Sequence, residues 1–521
     1  MIDTDDAHGV RRARLPAHPG AAGVLAAILA LGVSELLAGV LGAPSLIVEV
    51  GDLVIDSAPP ASEDLAIDIF GTYDKLALIV GIVAVAAAVG AWLGRAAQHR
   101  FWVAVLGFGV FAALGVLAAA RDPRAPAALV LLTAAMSAAA GAGALFYLLR
   151  SRSPAEPVGP TDWRRTRRAF LGRGAVVAVA AAGAAAGGRA LIGRGRAAEG
   201  GPQQVVLPKP DDRVPPPSPG AHPDVEGLVP VITPNDRFYR IDTALVVPRV
   251  DPTGWRLRVG GMVDAPFELS LEELLALPMV ERYVTLACVS NLVGGDLVGN
   301  AAWLGVPLSE LLERAGVQEG ATQVVGRSVD RFTVGFPTQA AFDGREALVT
   351  VGMNGEPLPT QHGFPARLVV SGLYGYVSAT KWLSEIELTT WEAFDAYWVP
   401  RGWAKEAPIK TQSRIDVPRP SSTLAPGPQA VAGVAWAPNL GISRVEVQVD
   451  QGPWEEAQLA EALSEDTWRQ WVHEWEATPG EHLIRVRATD GTGQTQTAEP
   501  TPPRPDGATG YHTIRVGVGE A

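Results

Sequence analysis

Residues 281–308 read ERYVTLACVSNLVGGDLVGNAAWLGVPL and hold Cys288, the sole cysteine of the 521-residue chain. A strand-like apolar run at 283–287 predicts delivery of Cys288 into a loop with Asn291, Gly294, Gly295, Gly299 and Asn300. Loops present side chains to ligands, and glycines let backbone approach one closely. A thiolate binds transition metals strongly, so Cys288 is a candidate metal ligand, and the glycines behind it would leave room for a bulky cofactor. The alternative is a small buried core residue, because free cysteines are among the most buried side chains.

At 521 residues the chain is too long for one ordinary domain. A net charge of -12 argues against nucleic acid as a partner. One cysteine excludes an internal disulfide framework, and no CxxC is present to hold zinc or an iron–sulfur cluster.

Four apolar runs, 22–41, 76–93, 101–120 and 127–149, approach the roughly 20 residues a helix needs to cross a bilayer core. They are rich in Ala, Gly, Val and Leu and lack the polar stripe of a soluble bundle helix. Arg11, Arg12 and Arg14 precede the first run, while 43–74 carries no arginine and a single lysine only after it, at Lys75. That bias places the N-terminus inside and this loop outside. Arg95 and Arg100 then fall inside, Arg121 and Arg124 outside, and Arg150, Arg152, Arg164, Arg165, Arg167 and Arg168 inside. Glu35 within the first run is either a functional carboxylate or one that is solvated or paired. No histidine lies in the four runs, which argues against a haem held within them.

Next comes Thr166-Arg167-Arg168-Ala169-Phe170-Leu171 and an apolar stretch, giving a fifth helix at about 174–193. The pattern resembles a twin-arginine translocation signal, the alternative being a positively charged flank of that helix. Both take the remainder of the chain to the extracytoplasmic side of a multi-pass membrane protein. Residues 199–223 are Pro-rich and read as an extended spacer.

The phrase LACVSN, followed by GGDLVGNAAWLGVPLSELLERAG, closely resembles the molybdenum-site segment of the sulfite oxidase family of molybdopterin oxidoreductases. The likeness runs from about 223 to the C-terminus. It implies a molybdenum-molybdopterin cofactor with Cys288 as its metal ligand and a catalytic residue. It extends to ITPNDRFYRID at 232–242, implying cofactor contacts at Asp236, Tyr239 and Arg240, with Asp242 beside them. In NGEPLPTQHGFPARLVVSGLYGYVSATKWLSEIEL at 354–388 it implies His362, Arg367 and Lys381 as grips on the pterin and its phosphate, with Ala379 and Thr380 through their backbone. Ser328 is carried over as a polar contact. In WEAFDAYWVPRGWAKEAP, 391–408, Tyr397 is the match for the family's catalytic tyrosine, with Trp398 close behind; interdomain packing is the alternative.

Alternating runs at 443–449 and 483–488, with turns at 450–452 and 490–493, suggest an immunoglobulin-like sandwich. It resembles the family's dimerisation domain and implies a homodimer. The family's sulfite-binding loop has an arginine where 437–441, APNLG, has none.

The expected architecture is therefore an N-terminal multi-helix transmembrane region (1–198), a linker (199–223), a mixed α/β sulfite-oxidase-type molybdopterin domain (224–408) and a C-terminal all-β immunoglobulin-like sandwich (409–521). The expected function is a membrane-anchored, extracytoplasmic oxidoreductase performing two-electron oxygen-atom transfer on a small-molecule substrate. Its electrons would pass through an external partner: a cytochrome, a quinone or a membrane subunit. The alternatives are a sulfoxide reductase of the same fold, or a cofactor-free membrane-tethered binding or assembly protein.

Overall fold

In a computed structural model, which describes residues 18–59, 69–70, 73–121, 125–150, 162–198 and 201–520, the apolar runs form helices. The chain divides into two units, Met1–Ala198 and Glu199–Ala521. In the first, α1 (Pro19–Leu41), α2 (Leu46–Ser57), α3 (Asp74–Ala97), α4 (Phe101–Ala119), α5 (Ala127–Leu149) and α6 (Asp162–Ala198) follow in order. The helices α1, α3, α4 and α5, and the stretch Arg168–Arg194 of α6, are long and apolar enough to cross a membrane. Arg11, Arg12, Arg14, Arg124 and Arg152 lie outside the described residues, and of Arg164, Arg165 and Arg167 only the helical backbone is described.

Helix α1 packs against α3, α5 and α6 through small residues. A Cβ added at Gly23 would meet the Gly90 carbonyl, and one at Gly188 would meet the backbone of Glu35, so these crossings require glycine. The helix α2 was not expected inside the 43–74 loop. Ser45 caps it by accepting from Val48 N at 3.4 Å, and donates to Glu35 at 2.5 Å. Glu35, 5% exposed, is thus a paired carboxylate.

The second unit opens with the Pro-rich segment, which is no free spacer. Its strand β1 (Asp212–Arg213) pairs in parallel with β4 (Val280–Ala287), Ala221 is buried, and the Tyr283 hydroxyl donates to Pro215 O at 3.2 Å. Proline removes backbone donors but leaves carbonyls free to accept, so this strap adheres through partners that only the folded domain supplies.

One sheet has the order β1, β4, β5 (Val298–Pro307), β8 (Ala347–Met353), β10 (Arg367–Val370), with β9 (Glu356–Pro357) on β8. Strands β4 and β5 are antiparallel, with Ala287 opposite Val298, so the chain from 288 to 297 must turn back within a short loop. A second sheet runs β3 (Phe267–Ser270), β2 (Arg256–Gly261), β11 (Leu383–Thr389), β6 (Gln323–Ser328), β7 (Thr333–Pro337). The short helices α7 (Leu271–Leu275), α8 (Leu308–Ala315) and α9 (Gly375–Ser378) complete a mixed α/β region. Strand β7 starts at Thr333, after a tight turn. Arg331 takes φ 75° in the turn, whose Asp330 carboxylate accepts from Phe332 N at 3.1 Å.

The C-terminal region is β-rich. One sheet is β12 (Gln412–Val417), β14 (Gly427–Trp436), β18 (Arg469–Ala477), β17 (Gln458–Leu459). The other is β13 (Thr423–Leu424), β20 (His512–Val518), β19 (Gly480–Asp490), β15 (Ile442–Val449), β16 (Glu455–Glu456). Val431 and Trp471 of the first sheet share a core with Val445, Val486 and Ile514 of the second.

Candidate functional site

Strand β4 ends in Ala287, and Cys288 follows as the first residue of the loop, buried. The loop is closed by hydrogen bonds rather than left open for a ligand. Cys288 N donates to Leu297 O at 2.9 Å, Leu297 N to Asn291 Oδ1 at 2.9 Å, and Asn291 N to Cys288 O at 3.1 Å. The glycines expected to make room for a cofactor face protein instead. A Cβ at Gly294 would run into the His512 ring, at Gly295 into Asn291 Oδ1, and at Gly299 into Phe238. Two C-terminal residues hold this loop from behind: Arg414 donates to Gly295 O at 2.9 Å, and His512 lies over Gly294.

Cys288 lines a cleft that opens to solvent, and small-molecule sites are concave clefts of this kind with a few convergent polar groups. Of the residues expected at a site, Tyr239, Ser328, His362, Arg367, Ala379 and Lys381 line it too, as do Asp242 and Trp398. They come from β6, β10 and the turn before it, the segments before and after β11, and the coil before β2. Four expected residues are not among its lining. Asp236 is exposed, and Arg240, half-exposed, lies 3.5 Å from Asp242. Thr380 is fully buried, its hydroxyl without a hydrogen-bond partner among the described residues. Tyr397 packs outside the wall, its ring 5.5 Å from that of Phe332 and under the Arg401 guanidinium at 3.8 Å.

The cleft also contains residues that sequence reasoning missed: Asp330, Phe332, Gly375, Tyr376 and Trp382. Asp330 had a local signal, a turn of the form Ser-x-Asp directly after Ser328. The aromatic residues had none, because nothing in their spacing distinguishes a cleft wall from a core.

The electrostatics follow from burial. The guanidinium of Arg367, 5% exposed, donates to the carbonyls of His362 (3.1 Å), Leu368 (3.4 Å) and Ala379 (3.5 Å) and stacks 5.1 Å from the Trp303 ring. Among the described residues no carboxylate pairs with it. Burial lowers its pKa to about 10, so it stays charged at neutral pH. Lys381 Nζ meets Asp242 at 3.0 Å.

His362 is held near pKa 4 by burial first and then by Arg367, Lys381 and Arg240, so it is neutral at physiological pH. Its Nε2 lies 2.8 Å from Asn235 O, which can only accept, so the proton sits on Nε2. Burial raises Asp330, with Asp242 adding to the effect, and raises the Tyr239 phenol, with Cys288 adding to it. Burial also pushes the Cys288 thiol up. The arrangement joins one soft ligand to two cations, one of them a buried guanidinium with carbonyl partners only. It suits an anionic group carrying or contacting a metal.

Residues 244–398 match the family described as "Oxidoreductase molybdopterin binding domain". Over 271 residues the chain is 31% identical to the mitochondrial sulfite oxidase of Rattus norvegicus, covering 44% of this chain and 49% of that protein. Over 153 residues it is 37% identical to the uncharacterized oxidoreductase YuiH of Bacillus subtilis (strain 168), covering 29% of this chain and 74% of that protein. Among solved structures it is similar to the sulfane dehydrogenase SoxCD from Paracoccus pantotrophus, with 25% identity, 54% of this chain and 80% of that chain covered, and a TM-score of 0.48. The chain thus spans about half the length of the mitochondrial sulfite oxidases it matches. With most of its cleft-lining residues inside that matched domain and a relative matched over most of its own length, the chain belongs to the sulfite oxidase family of molybdopterin oxidoreductases.

Proposed function

We propose that this chain is a membrane-anchored, extracytoplasmic molybdopterin-dependent oxidoreductase in which Cys288 ligates molybdenum. The observation that carries this reading is a buried thiol and a buried guanidinium, without a carboxylate partner among the described residues, on the walls of one cleft. A pterin phosphate is the kind of anion that would compensate Arg367, so the residues present fit the group. When bound, the cofactor supplies two-electron oxygen-atom transfer.

The chain's own residues have separable tasks. Arg367 and Lys381 hold the anionic end of the pterin, and neutral His362 offers hydrogen bonds without adding charge. Tyr239 stays a protonated phenol beside Cys288. Ser328 and the backbone of Ala379 contribute further polar contacts. Asp236, Arg240 and Thr380 act on the cofactor through these neighbours, and Tyr397 through the cleft-lining Phe332, whose ring its own contacts.

The five long apolar helices anchor the protein, and the Arg167-Arg168 pair directs the folded, cofactor-loaded unit outward by the twin-arginine route. The β-rich C-terminal region is an immunoglobulin-like module that supports a homodimer. Electrons pass to or from a separate redox partner.

Oxidation of sulfite is one direction, and reduction of a neutral sulfoxide the other. Phe332, Tyr376 and Trp398 in the cleft favour the neutral substrate, since neither of the cleft's two cations is spare for a dianion: both serve the anionic end of the cofactor, and Lys381 is paired with Asp242 besides. Metal analysis of the purified full chain tests the class of reaction: stoichiometric molybdenum is expected, and Cys288→Ala abolishes turnover. A molybdenum-free protein made with ample pterin supply overturns the reading. Steady-state rates with sulfite and with methionine sulfoxide then decide the direction.

A further inference from the structure

The turn that follows the cysteine places a second side chain against its sulfur. Asn291 N donates to Cys288 O at 3.1 Å, so Cys288, Val289, Ser290 and Asn291 form a four-residue turn with Ser290 in its third position. The two bonds from Leu297 and to Leu297 hold that turn without using the Ser290 side chain. Its hydroxyl stands 2.9 Å from Cys288 Sγ, and this is its sole hydrogen bond among the described residues. Ser290 is not on the cleft lining, so its contact with any bound group runs through the cysteine.

In the thiol either atom can be the donor. A metal-bound thiolate carries no proton and only accepts, so the serine hydroxyl must then donate. Hydrogen bonds to a ligating sulfur withdraw electron density from it, weaken its donation to the metal and raise the metal's reduction potential. Resting on the reading that Cys288 ligates molybdenum, we propose that Ser290 is a positioning residue that orients the cysteine sulfur and tunes the metal through a hydroxyl-to-sulfur hydrogen bond.

The test compares the cofactor-loaded full chain with Ser290→Ala, Ser290→Gly and Ser290→Thr. The readouts are molybdenum content, the thiolate-to-metal charge-transfer absorption, and the potential from a redox titration followed by electron paramagnetic resonance. At equal molybdenum content, Ala and Gly are expected to move the absorption to longer wavelength and lower the potential. Thr, which keeps the hydroxyl, is expected to stay with the unmodified protein. Absorption and potential unchanged in both Ala and Gly at full molybdenum content overturn this inference alone. Absence of molybdenum from the unmodified protein overturns the proposed function and this inference with it.

Discussion

Two arginines are buried in the second unit, Arg367 at 5% exposure beside the cleft and Arg414 at 7% behind the cysteine loop, and their surroundings differ. Arg414 has a carboxylate, Asp416, at 2.6 Å and a carbonyl, Gly295 O, at 2.9 Å. Arg367 has carbonyls alone, at 3.1 to 3.5 Å. Desolvating a cation is costly, and a carboxylate compensates it far better than long bonds to carbonyls do. Arg414 is therefore complete as the protein stands and acts as a structural bolt. Arg367 is incomplete until an anion arrives. Each has a histidine beside it, His362 near Arg367 and His512 near Arg414, and both histidines are held near pKa 4.

Breaking the bolt should have the largest effect. Arg414→Met leaves the Asp416 carboxylate buried and unpaired, and should destabilise the second unit by roughly 3–5 kcal/mol in urea unfolding of the solubilised full chain. A loss under about 1 kcal/mol would erase the contrast between the two arginines.

The histidines come next. Each has a folded pKa below its unfolded value near 6.5, so the unfolded state takes up the proton first as pH falls. The stability each contributes is complete above pH 6.5 and is lost as pH drops towards 4, roughly 3 kcal/mol per histidine. Melts of His362→Gln and His512→Gln from pH 7 to 4 should each be less steep than those of the parent. Binding of an anion at Arg367 and Lys381 should raise the His362 pKa and leave that of His512 in place, which nuclear magnetic resonance of the two rings would read.

Arg367→Met sharpens the comparison from the other side. It removes an uncompensated buried charge, so the cofactor-free protein should lose less than about 1 kcal/mol, while retention of the anionic cofactor falls roughly 10- to 100-fold, the ~1.5–3 kcal/mol of a charged hydrogen bond. Pterin released on dialysis measures it. The smallest effects are expected at two glycines. Gly294→Ala, at φ 78° and facing the His512 ring, should cost about 1–3 kcal/mol in the same unfolding assay. Gly375→Ala meets Ala287 O and the Tyr239 hydroxyl at 3.7 Å, ordinary contact, and should cost under about 1 kcal/mol.

Sequence reading located the strand before Cys288 and most of the polar cleft residues, because both belong to continuous motifs. It misjudged the glycines after the cysteine. A glycine that admits a ligand and one that admits a neighbouring ring look alike until the neighbour, here His512 from more than two hundred residues away, is placed. The family resemblance gives Tyr397 as the match for a tyrosine at the metal pocket, but in the fold its ring packs on Phe332, which lines the cleft while Tyr397 does not. The Pro-rich segment was read from composition as a spacer. Its pairing with β4 depends on a strand edge that composition cannot reveal.

By itself the sequence determined the long apolar helices, since hydropathy and length are local quantities, and it determined that a strand ends in a lone cysteine. Only the tertiary structure decided which charges converge on that sulfur and which are already compensated. Strand order and register bring the ends of β4 and β10 in one sheet and of β6 in the other onto one cleft across long stretches of chain, and burial then sets whether a cation finds a carboxylate or waits for a ligand.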